Sequence, residues 1–105
     1  MSDGGMIGDH KIIVENVNHP DYRGQVNADK YHAMKSALLA VLPDGPPGLS
    51  QAEMTASVKP HLPDDLFPGG RTAGWWAKTV QLDLEAKGVV IRHQGKPLRW
   101  TKSTG

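Results

Sequence analysis

The sequence predicts an α+β domain, mainly helical, in which three helices precede a C-terminal β-hairpin. Three observations lead there. Apolar residues recur at helical spacing over about 27–42 and again over about 72–87. Between these stretches, Ser50 and Glu53 stand three apart as a capping box at the head of a short helix. Finally, Gly88 suits the left-handed position that ends a helix. After it, Val89–His93 and Leu98–Lys102 flank the turn Gln94-Gly95-Lys96-Pro97. Helix, tight stop, strand, basic tip and strand in succession are the ending of a winged helix-turn-helix, which is the expected architecture.

The elements follow in order. Residues 1–10 are glycine-rich and expected to be disordered. Residues 11–26 form an extended arm with a β-prone run, Ile12-Ile13-Val14, and turn chemistry over Asn16–Asp21. The arm is not self-sufficient; it must lie on the body, extend a sheet edge or reach a partner. The body spans 27–102 and the tail 103–105. Asn27 is a good N-cap for the first helix, whose stripe is Tyr31, Met34, Leu38, Val41 and Leu42. Pro43-Asp44-Gly45-Pro46-Pro47-Gly48 breaks the chain. The second helix buries Met54 and Val58 and stops near Lys59, because Pro60 cannot continue it. Leu62, Leu66 and Phe67 pin the following loop over the core. That loop is longer than the three-to-four-residue turn usual in the motif.

The third helix is apolar on two sides. Ala73, Ala77, Val80 and Leu84, flanked by Trp76, face the core at 100° per residue, while Trp75, Thr79, Leu82 and Ala86 form a second stripe. Such a helix is covered twice or offers one face to a partner. The arm, a second copy of the chain or a ligand are the candidates for that cover. In the hairpin, Val89, Ile91, Leu98 and Trp100 are expected to point inward.

The 105 residues make one domain with one modest core, and 38% apolar content argues against disorder. Absence of cysteine excludes disulfides, thiolate nucleophiles and cysteine-based zinc sites. No apolar run is long enough for a membrane span or a signal peptide, so a cytoplasmic protein without membrane contact is expected. The net charge of +1 conceals an asymmetry: residues 1–70 carry −4 and residues 71–105 carry +5. A segregated basic end is the footprint of a polyanion-binding face.

Catalytic patterns are lacking. Histidines 10, 19, 32, 61 and 93 have no ligand spacing, and Asp64-Asp65 sits alone in a proline-rich loop. A non-enzymatic domain without cofactor or metal is expected. Double-stranded DNA is the leading candidate partner. In the winged-helix arrangement the third helix enters the major groove and the wing lies along the backbone. Arg71 has the planar fork that matches a guanine edge. Thr72 would contact a phosphate or, more simply, cap the helix. Lys78, Arg92, Lys96, Arg99 and Lys102 would hold phosphates; about four phosphates neutralised gives a salt slope near −3.6. The same cations also suit a solvated hairpin edge that resists aggregation. The alternative is a protein-interaction or homodimer surface made by Trp75, Leu82 and Ala86.

The run Gly74–Val90 resembles the recognition-helix-to-wing passage of many bacterial winged-helix regulators. Leu84-Glu85-Ala86-Lys87-Gly88-Val89 matches their frequent "Leu-Glu-x-Lys-Gly-hydrophobic" junction. That resemblance implies Leu84 in the core, Gly88 at the helix end and Val89 opening the wing. Over about 14–102 the chain also resembles a family of small uncharacterised bacterial proteins that share Leu-Phe-Pro-Gly-Gly…Gly-Trp-Trp (66–76 here) and Pro-Leu-Arg-Trp (97–100 here). This second likeness implies no activity.

Overall fold

The computed structural model describes residues 10–103, so the expectations for residues 1–9 and 104–105 lie outside the described residues. Its elements run β1 (Lys11–Val14), β2 (Gly24–Asn27), α1 (Ala28–Val41), α2 (Gln51–Val58), α3 (Ala73–Ala86), β3 (Val90–His93) and β4 (Arg99–Lys102). The fold is α+β, mainly helical, with three helices and two small antiparallel hairpins.

The arm folds on itself. β1 and β2 pair antiparallel from Lys11↔Asn27 to Val14↔Gly24. A two-stranded ribbon of this length is marginal alone in water. It holds because Val14 and Val26 are buried in the common core and the Glu15 amide donates to Asp83 Oδ1 of α3 at 2.8 Å.

Helix ends follow local chemistry. The Asn27 side chain accepts the Lys30 amide at 2.9 Å to start α1. Both bonds of the Ser50–Glu53 capping box form, at 3.2 and 2.9 Å. α2 then tightens into a 3-10 turn, Lys59–His61, with Pro60 inside it. At the far end of α3, Gly88 adopts φ +77°, its amide donates to Glu85 O, and the Val89 amide donates to Leu84 O at 2.8 Å. Together they form a Schellman motif. The start of α3 departs from expectation: Thr72 stands at the N-cap with φ +62° and makes no side-chain cap. Its hydroxyl donates instead to the Arg71 carbonyl at 2.5 Å, because the left-handed backbone turns the side chain away from the free amides.

One core serves all three helices. α1 contributes Tyr31, Met34, Leu38 and then Leu42; α2 contributes Met54 and Val58; α3 contributes Ala73, Trp76, Ala77, Val80 and Leu84. Phe67 plugs the core from the long connection and meets Trp76 edge-on at 6.2 Å.

In the C-terminal hairpin Trp100 is buried, and Val89 and Leu98 pack against the core as expected, but Ile91 is exposed and Val90 is buried in its place. The register pairs Trp100 with Arg92 and Lys102 with Val90, and cross-strand partners share a face. The face carrying Trp100 therefore also carries Val90, not Ile91. The hairpin is stitched to the body by the residues before α2. Leu49 and Trp100 exchange both backbone hydrogen bonds, at 3.0 and 2.8 Å, and the Lys102 amide donates to Pro43 O at 2.9 Å. Gly48 makes this approach possible: φ is +83°, and a Cβ there would lie 2.5 Å from the Trp100 carbonyl oxygen. Only glycine takes both constraints without strain.

Candidate functional site

The outer face of α3 is the most prominent open surface. Trp75, Lys78, Leu82 and Ala86 recur at three- and four-residue steps and share one side of the helix. Trp75 is 58% exposed, edge-on to Trp76 at 5.1 Å. Lys78 and Ala86 are exposed, while Leu82 is half-buried. Arg71 is exposed just ahead of the helix. The loop after β1 walls one flank, with Glu15, His19 and Tyr22 beside Trp75 and Thr79. A groove of about 580 Å³ lies on the other flank, between α3, the first turn of α2 and the C-terminal hairpin. The arm thus borders the second apolar stripe and leaves Trp75 open.

The candidate cations do not share one condition. Arg92 grips Glu85 with two bonds, 2.9 and 3.2 Å, and its guanidinium lies 5.7 Å from the centre of the Trp100 ring. Arg99 pairs with Glu53 at 2.9 Å and donates to Gly48 O at 3.1 Å. Lys102 pairs with Asp44 at 3.5 Å. Lys87, also in the basic end, pairs with Asp83 at 2.9 Å. The carboxylates of the Arg99 and Lys102 pairs are exposed to solvent, which screens both pairs and leaves them weak. Arg92 is more firmly fixed, since Glu85 is almost fully buried. Among the described residues, Arg71, Lys78 and Lys96 make no ion pair. Asp83 and Glu85 are already counted in the +5 of residues 71–105, so the partners from outside that segment, Glu53 of α2 and Asp44 of the connection before it, lower the charge only to +3.

Asp83 and Gln81 are buried polar residues that the sequence reading left unassigned. The Asp83 carboxylate accepts from the Glu15 amide, the Tyr31 hydroxyl and the Lys87 ammonium. Burial, and then the adjoining Asp83 carboxylate, push the Tyr31 phenol above its usual range. The Gln81 amide donates to Glu85, which also receives Arg92. Of these links, the Asp83–Lys87 spacing of four on one helix was a readable signal. At the opposite edge, the hydrogen bond from the Ser50 amide holds the Glu53 carboxyl below the usual glutamate range, and the Arg99 guanidinium reinforces it.

Two buried side-chain atoms among the described residues have no hydrogen-bond partner: Gln51 Nε2 and Trp100 Nε1. Both residues line the groove beside α3, with Lys78 and Leu82. No group of three or more His, Cys, Asp or Glu side chains among the described residues is placed to hold a metal ion. Among the described residues, no helix is long and apolar enough to cross a membrane.

The chain belongs to a family of unknown function, DUF6958, whose model matches residues 11–100. The match takes in the arm hairpin, all three helices and the C-terminal hairpin as far as Trp100. No curated protein and no solved structure has significant similarity to the chain.

Proposed function

We propose that this member of the family is a non-enzymatic winged helix-turn-helix domain that binds duplex DNA with the outer face of α3 and the tip of the C-terminal hairpin. The winged-helix reading is supported by element order and by the Leu49–Trp100 bridge. That bridge adds a third strand-like segment, between α1 and α2, to the β3–β4 ribbon. α3 then occupies the recognition position and the Gln94–Pro97 turn is the wing tip.

The observation that carries the DNA reading is which cations remain unpaired. Arg71 and Lys78 stand at the N-terminal half of α3 and Lys96 at the wing tip, the segments that meet DNA in this arrangement. No Asp or Glu occurs between Asp65 and Asp83, so this half of the helix carries no acidic side chain of its own. Arg99 and Lys102 stay with Glu53 and Asp44, as Arg92 stays with Glu85, and leave the phosphate contacts to the three unpaired cations. Thr72 contributes through its backbone, its hydroxyl being engaged by Arg71 O. Trp75 is placed to stack on a base or sugar edge at the groove mouth.

Fluorescence anisotropy of a labelled random duplex at low salt tests this. The expected result is saturable binding that the Arg71→Ala, Lys78→Ala, Lys96→Ala triple variant abolishes. Absence of binding by the unmodified chain at low salt would overturn the proposal. A second reading, a homodimer through Trp75, Leu82 and Ala86, is favoured by the 58% exposure of Trp75. It predicts a dimer by light scattering that becomes a monomer on Trp75→Ala, with Trp75 shielded from quencher in the parent chain.

A further inference from the structure

We infer that the groove between α2, α3 and the C-terminal hairpin is a binding site for a small organic carboxylate with an apolar body. The inference does not depend on the DNA reading. The volume, about 580 Å³, falls in the range of pockets that hold small-molecule ligands. Its walls supply apolar surface from Leu82, Pro97 and Leu98 and an unpaired ammonium from Lys78. Buried polar groups in folded proteins are almost always hydrogen-bonded, so each exception calls for an explanation. Here the two exceptions among the described residues, Gln51 Nε2 and Trp100 Nε1, both belong to residues lining this one groove. Trp100 is 5% exposed and carries no other polar side-chain atom.

All three unpartnered groups, two N–H donors and one ammonium, want an acceptor. A ligand that completes them carries oxygens and negative charge, which a carboxylate supplies in one compact unit. A metal cation or an ammonium would find donors where it needs acceptors. Neither Gln51 Nε2 nor Trp100 Nε1 is reached by solvent, so a bound acceptor meets them only after the side chains lining the groove shift. Arg92 stays on Glu85 and serves as the packed cover of the Trp100 ring.

The test titrates the whole chain with 2-naphthoate and, separately, with 2-naphthalenemethanol, its uncharged counterpart, following ¹H–¹⁵N spectra without DNA. The Trp100 indole resonance is assigned with Trp100→Phe. Expected are movement of the Trp100 indole N–H and Gln51 amide signals, and binding of the carboxylate at least tenfold tighter than the alcohol. Lys78→Met, a change at an exposed position, should remove that preference while leaving the spectrum folded. Shifts centred elsewhere, equal binding of the two probes, or no shifts at millimolar carboxylate would overturn the inference.

Discussion

Truncating Asp83 to alanine is expected to cost about 3 kcal/mol. The figure follows from its partners. Asp83 is wholly buried and accepts from the Tyr31 hydroxyl and the Glu15 amide, both left without a partner once it is gone. A buried donor deprived of its acceptor costs about 1–3 kcal/mol, which applies in full to the Tyr31 hydroxyl and in part to the half-buried Glu15 amide, for about 2–4 kcal/mol together. Lys87 adds little, since its ammonium returns to water. Asp83→Asn keeps the shape and one acceptor and should lose about half as much. Urea unfolding followed by circular dichroism gives the comparison, with the midpoint moving at constant slope. A double-mutant cycle with Tyr31→Phe should show coupling of about 1 kcal/mol or more. A loss below about 1 kcal/mol for Asp83→Ala, or strict additivity in the cycle, would refute the assigned role. Because the Glu15 amide opens the loop that walls α3, the same variant should also raise hydrogen exchange over residues 15–22.

Other expectations can be measured on the same material. Tyr31 holds its proton more tightly when folded, so its contribution is complete below about pH 10 and lost as pH rises further. Stability should fall there by about 1.4 kcal/mol per pH unit, a slope that Tyr31→Phe removes in alkaline urea titrations. Ser50→Ala breaks the capping box and should cost about 1 kcal/mol by thermal or urea unfolding, with no loss if the box is ornamental. Gly48→Ala meets both a positive φ and the Trp100 carbonyl and should cost about 2 kcal/mol or more. Gly45→Ala, with open space around it, serves as the near-neutral control.

Local signals in the sequence carried far. Asn27, Ser50 with Glu53, and Gly88 mark helix ends through bonds made within a few residues, and each makes the expected bond or turn. The core face of α3 follows from 100° periodicity, and Ala73, Ala77, Val80 and Leu84 are all buried. What stayed illegible depends on partners distant in sequence. Glu53 meets Arg99 across 46 positions, and Asp83 meets Tyr31 across 52. A charge count taken along the chain cannot see that Arg99 meets Glu53. In the hairpin only Ile91 was misplaced, because the pairing of Trp100 with Arg92 puts Val90 and Arg92, not Ile91, on the face of Trp100. The candidate site was legible as an exposed stripe on α3. The two unpartnered donors were not, because they arise from the meeting of α2 with β4.

The salt dependence of duplex binding tests the account most directly. Three unpaired cations, Arg71, Lys78 and Lys96, predict that log affinity falls against log salt with a slope near −2.7, shallower than the −3.6 expected from four phosphates. Lys78→Ala should reduce the magnitude of that slope by about one unit. A flat salt response, or a slope that Lys78→Ala leaves untouched, would contradict it.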